Sequence, residues 1–210
     1  MPQLYHITHI DNLSGILSDD GLCCDRLRES QAKTVTSIAH QHIKDRRAKR
    51  PVRTLSGRVI AAGGTLSDYV PFYFAPRSPM LYTIHRGNVE GYVGGQRSVV
   101  HLVTSVDKAT QLGQPWCFTE GHAEIAYSEY FDDLSRLDRI DWPLMRATMW
   151  GGDDERRRRR QAEFLVHQTF PVQALERIVV VNATMETNVR YHLQRTNCNL
   201  PVNIEPNWYY

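Results

Sequence analysis

The sequence predicts an α+β domain, on three observations. Runs rich in β-branched residues intermix with amphipathic segments, without the regular strand–helix–strand alternation of a parallel sheet. No G-x-G-x-x-G follows a strand, so a dinucleotide site of the Rossmann kind is not expected. The 210 residues, 41% hydrophobic and 23% charged, suit one domain over 1–210 with a single sizeable core.

The elements follow in order. LYHIT (4–8) reads as a short strand. Asp11 is placed to cap a helix through Leu13, Ile16 and Leu17 that stops near Gly21. Segment 34–50 reads as a helix, because Val35, Ile38, Ala39 and Ile43 share one face, and Pro51 ends it. Residues 54–67, with Gly57, Gly63 and Gly64, form a polar loop. YVPFYFAPRSPMLYTI, interrupted by Pro71, Pro76 and Pro79, gives a strand, a tight turn and a short helix. SVVHLVTS (98–105) is a buried strand and PWCFT (115–119) a shorter one. Residues 123–150 read as mainly helical, with loops. A charged helix, DDERRRRRQ, leads into the strand AEFLVH (162–167). RIVVVNA (177–183) is a last core strand, and a helix (185–195) and a tail ending in WYY close the chain.

Several classes are set aside. No segment approaches the ~18 consecutive apolar residues of a membrane helix, so no membrane partner is expected. MPQLYHITHI has no positively charged stretch ahead of an apolar run, and so no secretory signal. Cys23, Cys24, Cys117 and Cys198 contain no C-x-x-C pair and read as reduced thiols of a cytoplasmic protein. The net charge of +2 hides an uneven distribution. KDRRAKRPVR (44–53) and the five arginines 156–160 hold 11 of the 25 basic residues. The remainder carries 14 basic residues against 22 acids, a balance of −8. Focused positive charge on an acidic body points to a phosphate-rich ligand, although either run alone fits a solvated helix face.

Three features carry chemistry. Glu163 sits in a short apolar strand directly after the arginine run, where alternation puts it with Leu165 on one face and Ala162, Phe164 and Val166 on the other. An edge-strand glutamate paired with an arginine fits this pattern. So does a carboxylate set beside a sugar cation, because cleavage of a glycosidic bond passes through an oxocarbenium-like state that a nearby carboxylate stabilises. His6 lies among apolar neighbours and reads either as a hydrogen-bonded core residue or as a ligand contact. His9 and Asn12 follow at a helix start, which suits phosphate or ribose oxygens. On the 34–50 helix, Arg46 falls mid-way across the apolar face and Arg47 at its edge, so these arginines point towards the body or a cleft unless their stems only cover the core.

YHITHIDNLSGIL, SIAHQHIKDRR, DYVPFYFAPRSPMLY, FTEGHA, RQAEFLVH and the terminal WYY occur in order along nearly the whole chain. Together they resemble the DarT family of bacterial DNA ADP-ribosyltransferase toxins, in its thymine-modifying branch. The resemblance implies a compact ADP-ribosyltransferase fold related to poly(ADP-ribose) polymerases, with a central split antiparallel sheet flanked by helices. It implies NAD as substrate, no metal, single-stranded DNA as acceptor, and a DarG-like macrodomain antitoxin as partner. It assigns catalysis to Glu163 and Arg47. It gives NAD contacts to His6, with Thr8, Asn12 and Gly15 as companions, and a pocket beside the nicotinamide to Tyr73 and Met80. His122 falls near the incoming DNA, and Arg46 and Arg77 join it as DNA-contact candidates. Residues 22–34 depart most from the family pattern.

Three rivals remain open to test. One is a transferase of the same fold acting on protein or RNA. Another is a module that only binds nucleic acid, with salt-dependent affinity and no NAD turnover. The third is a metal nuclease built on His40 and His42, for which the ligand spacing is poor.

Overall fold

The computed structural model describes residues 1–210. The chain runs through β1 (Gln3–His9), α1 (Leu13–Ser18), β2 (Gly21–Cys23), α2 (Asp25–Ser30) and α3 (Gln41–Arg47). It continues with β3 (Tyr69–Tyr73), α4 (Pro79–His85), β4 (Val99–Ser105), α5 (Val106–Gln111), β5 (Trp116–His122) and β6 (Tyr130–Phe131). It ends with α6 (Trp142–Arg146), α7 (Asp154–Arg159), β7 (Ala162–His167), β8 (Thr169–Pro171), β9 (Arg177–Val180), α8 (Ala183–Arg195) and β10 (Val202–Ile204).

Eight strands form one sheet in the order β10-β9-β4-β1-β3-β7-β5-β6. Its neighbours are antiparallel, except for the parallel β9–β10 pair at one edge. β2 and β8 make a separate two-stranded ribbon. β1 is registered with β4 over its full length, whereas β1 and β3 share only the Tyr5–Tyr73 register. The sheet is thus split between β1 and β3, and Pro71 accounts for part of the split. Its carbonyl meets the His6 ring, 2.8 Å away, so the same edge of Pro71 faces β1. In an antiparallel strand a residue's N–H and C=O point the same way, and proline has no N–H to give. A side chain therefore bridges where a ladder would otherwise run.

Ala162, Phe164 and Val166 of β7 enter the main core with Phe72, Phe118 and Leu102, as their alternation requires. Leu165 turns to the opposite face, beside Tyr69, Cys117 and Tyr130. Glu163 lies on that same face.

The sequence reading differs from the fold in four places. The helix expected over 34–50 is only α3, since residues 34–40 are irregular. The side-chain amide of Asn12 holds this stretch: it donates to the Thr36 carbonyl at 3.0 Å and accepts from the Thr36 N–H at 2.8 Å. Asp11 does not cap a helix; its N–H instead donates to the His9 ring at 3.2 Å. Segment 123–150 contains β6, a 3-10 turn (Leu134–Arg139) and the short α6 rather than mainly helix. The short elements β2, α2, α5, β8 and β10 carry no pattern long enough to read from sequence.

Candidate active site

A cleft of about 1030 Å³ opens at the split in the sheet. β1 contributes His6 and Thr8, β3 contributes Pro71 and Tyr73, and β7 contributes Glu163. Residues 33–40 line the opposite side, and Arg77 and Met80 line it from the turn into α4.

The Glu163 side chain is only 3% exposed. Its Oε2 accepts from Arg47 Nη1 at 2.9 Å, and its Oε1 accepts from the Ala123 N–H at 3.2 Å. Thr119 Oγ1 accepts from the Glu163 N–H at 3.3 Å. Both carboxylate oxygens are thus held, one by a cation and one by a peptide. Burial alone would pull the Arg47 guanidinium down, but the charge and hydrogen bond of Glu163 outweigh it and push Arg47 up. The pair is a fixed charge–charge unit. Pairs of this kind contribute little net stability, because desolvating two ions costs about as much as their attraction returns. The second guanidinium nitrogen, Arg47 Nη2, is buried and has no hydrogen-bond partner. A buried donor left unmet is costly, so this one is suited to an acceptor that arrives in the cleft.

The helical wheel misplaced the two neighbouring arginines. Arg47 is buried, whereas Arg46 is 53% exposed, lies outside the cleft lining and pairs with Glu124 at 3.0 Å. Because α3 starts at Gln41, only Ile43 of the four apolar residues used in the wheel lies on it. Arg47 sits four residues after Ile43 and shares its face, and both line the cleft.

The other candidates converge on the same space. His6 is half-buried, edge-on to Phe72, and its loss of solvent lowers the imidazole to about 4, so the ring is neutral and its partner is the Pro71 carbonyl. Thr8 Oγ1 accepts from Asn12 at 3.1 Å, so Asn12 works as a staple between β1 and segment 34–40. At Gly15, space is open where a Cβ would stand. Tyr73 is in register with Glu163 across the β3–β7 pair, and burial raises its phenol. His122, at the end of β5, is lowered by burial against the opposing pull of Glu163. The Arg77 guanidinium lies 4.2 Å over the Tyr210 ring, with its Nε buried and unpartnered.

Sequence reasoning missed the Ala123 N–H, which no side-chain pattern can announce. It also missed Arg28, Lys33 and Tyr210, which line the cleft, and named Arg157 only as one of the 156–160 run. Arg28 and Lys33 fall in the segment that departs most from the family pattern.

The arginine run is not a free basic stripe. Arg158 and Arg160 are 6% and 2% exposed. Arg160 donates to the carbonyls of Arg77, Leu144 and Ala147, and burial lowers it to about 10. Arg156 and Arg157 donate to the carbonyls of Met149 and Gly152, and Arg159 to Glu155. The His40 and His42 rings lie 5.0 Å apart, tilted to each other, but no third His, Cys, Asp or Glu joins them in a metal-holding group. No helix is long and apolar enough to cross a membrane.

A family profile described as "ssDNA thymidine ADP-ribosyltransferase, DarT" matches residues 5–210. The chain belongs to the DarT family. The structure of Thermus sp. 2.9 DarT in complex with ADP-ribosylated ssDNA superposes with a TM-score of 0.90 at 39% identity, covering 100% of this chain and 96% of that one. The same DarT in complex with NAD+ gives 0.88 at 36% identity, covering 100% and 98%. A DNA ADP-ribosyl transferase–DNA ADP-ribosyl glycohydrolase fusion protein of Thermosipho africanus is 24% identical over 210 residues, 99% of this chain and 49% of the fusion. This DarT-family chain is therefore an NAD-dependent DNA ADP-ribosyltransferase with the expected α+β fold. Its reaction transfers a glycosyl group.

Proposed function

We propose that the chain moves ADP-ribose from NAD to a thymine ring nitrogen of single-stranded DNA, with Glu163 and Arg47 as the catalytic pair. The observation that carries this is the buried Arg47–Glu163 ion pair at the cleft wall, with one Arg47 nitrogen still unmet. The cleft fits the substrate. Its volume, about 1030 Å³, is at the large end for small-molecule sites, which suits a dinucleotide together with a base. Arg28 and Lys33 supply cations for a pyrophosphate on the same lining, and Arg28 Nε is buried without a partner.

In this reading the bond from the anomeric carbon to the nicotinamide nitrogen breaks, and its electron pair leaves with nicotinamide. Glu163 accepts a hydrogen bond from the adjacent ribose hydroxyl and offsets the positive charge growing on the sugar. The thymine ring nitrogen gives up its proton to water or to Glu163, then forms the new bond to the anomeric carbon. Arg47 stabilises the anionic base through its free nitrogen. It does not act as the base, because arginine stays protonated in proteins. His6, Thr8, Asn12 and Gly15 hold the NAD side, and Tyr73 and Met80 border the nicotinamide. Arg77 and His122 face the DNA, whereas Arg46 acts from the rim. Base pairing hides the thymine N–H edge, so the acceptor is unpaired or flipped out. The domain spans 1–210, and the Thermosipho fusion supports a macrodomain glycohydrolase partner of the DarG type that removes the mark.

Radiolabelled NAD followed by separate nuclease and protease digestion tests the acceptor. Label released by DNase alone is expected. Label that survives DNase and is lost to protease or RNase would move the chain to a protein or RNA modifier.

A further inference from the structure

The FTEGHA segment contains a second ion cluster that the reaction above does not use. Arg158 of α7 points back into the protein. Its Nη1 donates to Glu120 Oε1 and to Ser128 Oγ, both at 2.9 Å. Its Nε and Nη2 donate to the two oxygens of Glu155 at 2.8 Å each. The guanidinium also lies 5.1 Å over the Tyr127 ring. Arg158, Glu120 and Ser128 are all buried. Gly121 is what permits the approach: a Cβ there would stand 2.3 Å from Arg158 Nη1 and 3.2 Å from the Arg158 carbonyl oxygen.

Burying an arginine and a glutamate is expensive, and a packed apolar pair often serves stability better. The path of hydrogen bonds suggests another use for them. Ser128 Oγ accepts from Arg158 and donates to the His122 carbonyl at 2.7 Å. That carbonyl and the Ala123 N–H belong to one peptide unit, which is planar and stiff. The Ala123 N–H is the donor that holds Glu163 Oε1. The next carbonyl, of Ala123, is fixed independently by the Tyr130 hydroxyl at 2.6 Å. A continuous chain thus runs from the Arg158 guanidinium through Ser128 and the 122–123 peptide to the Glu163 carboxylate. Each link polarises the next in the same direction.

We infer that Arg158 and Ser128 are positioning residues: they set the 122–123 peptide, and through it the rotation of the Glu163 carboxylate relative to the sugar. This rests on the proposed role of Glu163. The alternative, that the cluster merely anchors α7 to β5, makes no distinction between Ser128 and the rest of the cluster. Small errors of placement at a reacting centre cost large factors in rate, up to ~10²-fold per ångström.

The experiment compares variants in the oligonucleotide transfer assay, well below each one's melting temperature and scaled to folded protein. Arg158→Met strips two carboxylates of their partner and can prevent folding, so Ser128→Ala is the decisive variant. It leaves the Arg158–Glu120 and Arg158–Glu155 pairs in place. The expected result is a kcat lowered about 10-fold, with KM for NAD and for DNA within about two-fold of wild type. Ser128→Thr, which keeps the hydroxyl, should recover most of that loss. Glu163→Gln is run alongside. If it is inactive while Ser128→Ala keeps wild-type kcat, the positioning role is overturned and the role of Glu163 stands. If Glu163→Gln is itself as active as wild type, the underlying reading has failed. A Ser128→Ala loss carried mainly in KM would also overturn the inference.

Discussion

The two arginine-rich segments look alike in sequence and do different work. In 44–53, one arginine is drawn into the cleft against a carboxylate and its neighbour pairs at the surface with Glu124. In 156–160, every arginine is bonded within the protein, and two of them are buried. The first segment supplies the site with charge, and the second is mainly a frame for the strand that carries Glu163. A run of like charges therefore does not identify a nucleic-acid surface. What matters is which guanidinium nitrogens remain unmet, and where they point.

The largest effect that separates the segments is at Arg47. Arg47→Ala should lower transfer by at least ~10²-fold, because a preorganised charge beside the reacting atoms is lost. It should also destabilise by roughly 3–5 kcal/mol, since Glu163 would stay buried without its partner. Kinetics together with urea unfolding would check both. Arg160→Ala should resemble it in stability alone. Several carbonyls would lose their donor, at ~1–3 kcal/mol for each one left unmet and not additively. Turnover per folded molecule should be kept. A comparable loss of turnover in folded Arg160→Ala would show that Arg160 also sets the geometry of the site, as Arg158 is inferred to do.

The arginines of both segments keep their charge in acid, and Glu155, held down to about 2 by Arg158 and Arg159, stays ionised below the range in which the histidines titrate. Burial lowers both His6 and His101 to about 4, below the ordinary 6.5. The folded state therefore holds them neutral, while the unfolded chain takes up protons as pH drops below 6.5. Their contribution to stability is intact above that value and is lost progressively down to about 4. Melting temperature against pH should fall across this window, and His101→Gln should make the fall shallower.

Some of this was legible in the sequence. The β-branched runs at 98–105 and 177–183 announced core strands, and period-two alternation in AEFLVH put Glu163 on the face away from Phe164. The true start of α3 was not legible, because the Asn12 amide, distant in sequence, claims Thr36 and holds residues 34–40 irregular. Arg47 could not be separated from Arg46 by periodicity while the start of the helix was misplaced. The Arg158–Glu120 pair is 38 residues apart in sequence, and the key donor to Glu163 is a backbone N–H.

Smaller effects sharpen the contrast. Changing Arg156, Arg157 and Arg159 to glutamine should lower the salt slope of DNA binding by about one unit at most, one phosphate contact, because only Arg157 among them lines the cleft. A drop of three units would restore the run as a phosphate track. Arg46→Ala should be the mildest change, removing a surface ion pair worth ~0–1 kcal/mol and leaving most transfer activity. An inactive Arg46→Ala would reverse the assignment of the two neighbours.

The most direct test is mass spectrometry of a short single-stranded oligonucleotide incubated with NAD. Wild-type enzyme should add the mass of one ADP-ribose to an oligonucleotide containing thymine and nothing to its thymine-free counterpart. Folded Glu163→Gln should leave both unchanged. Addition by folded Glu163→Gln at the wild-type rate, or equal addition to the thymine-free strand, would contradict the account.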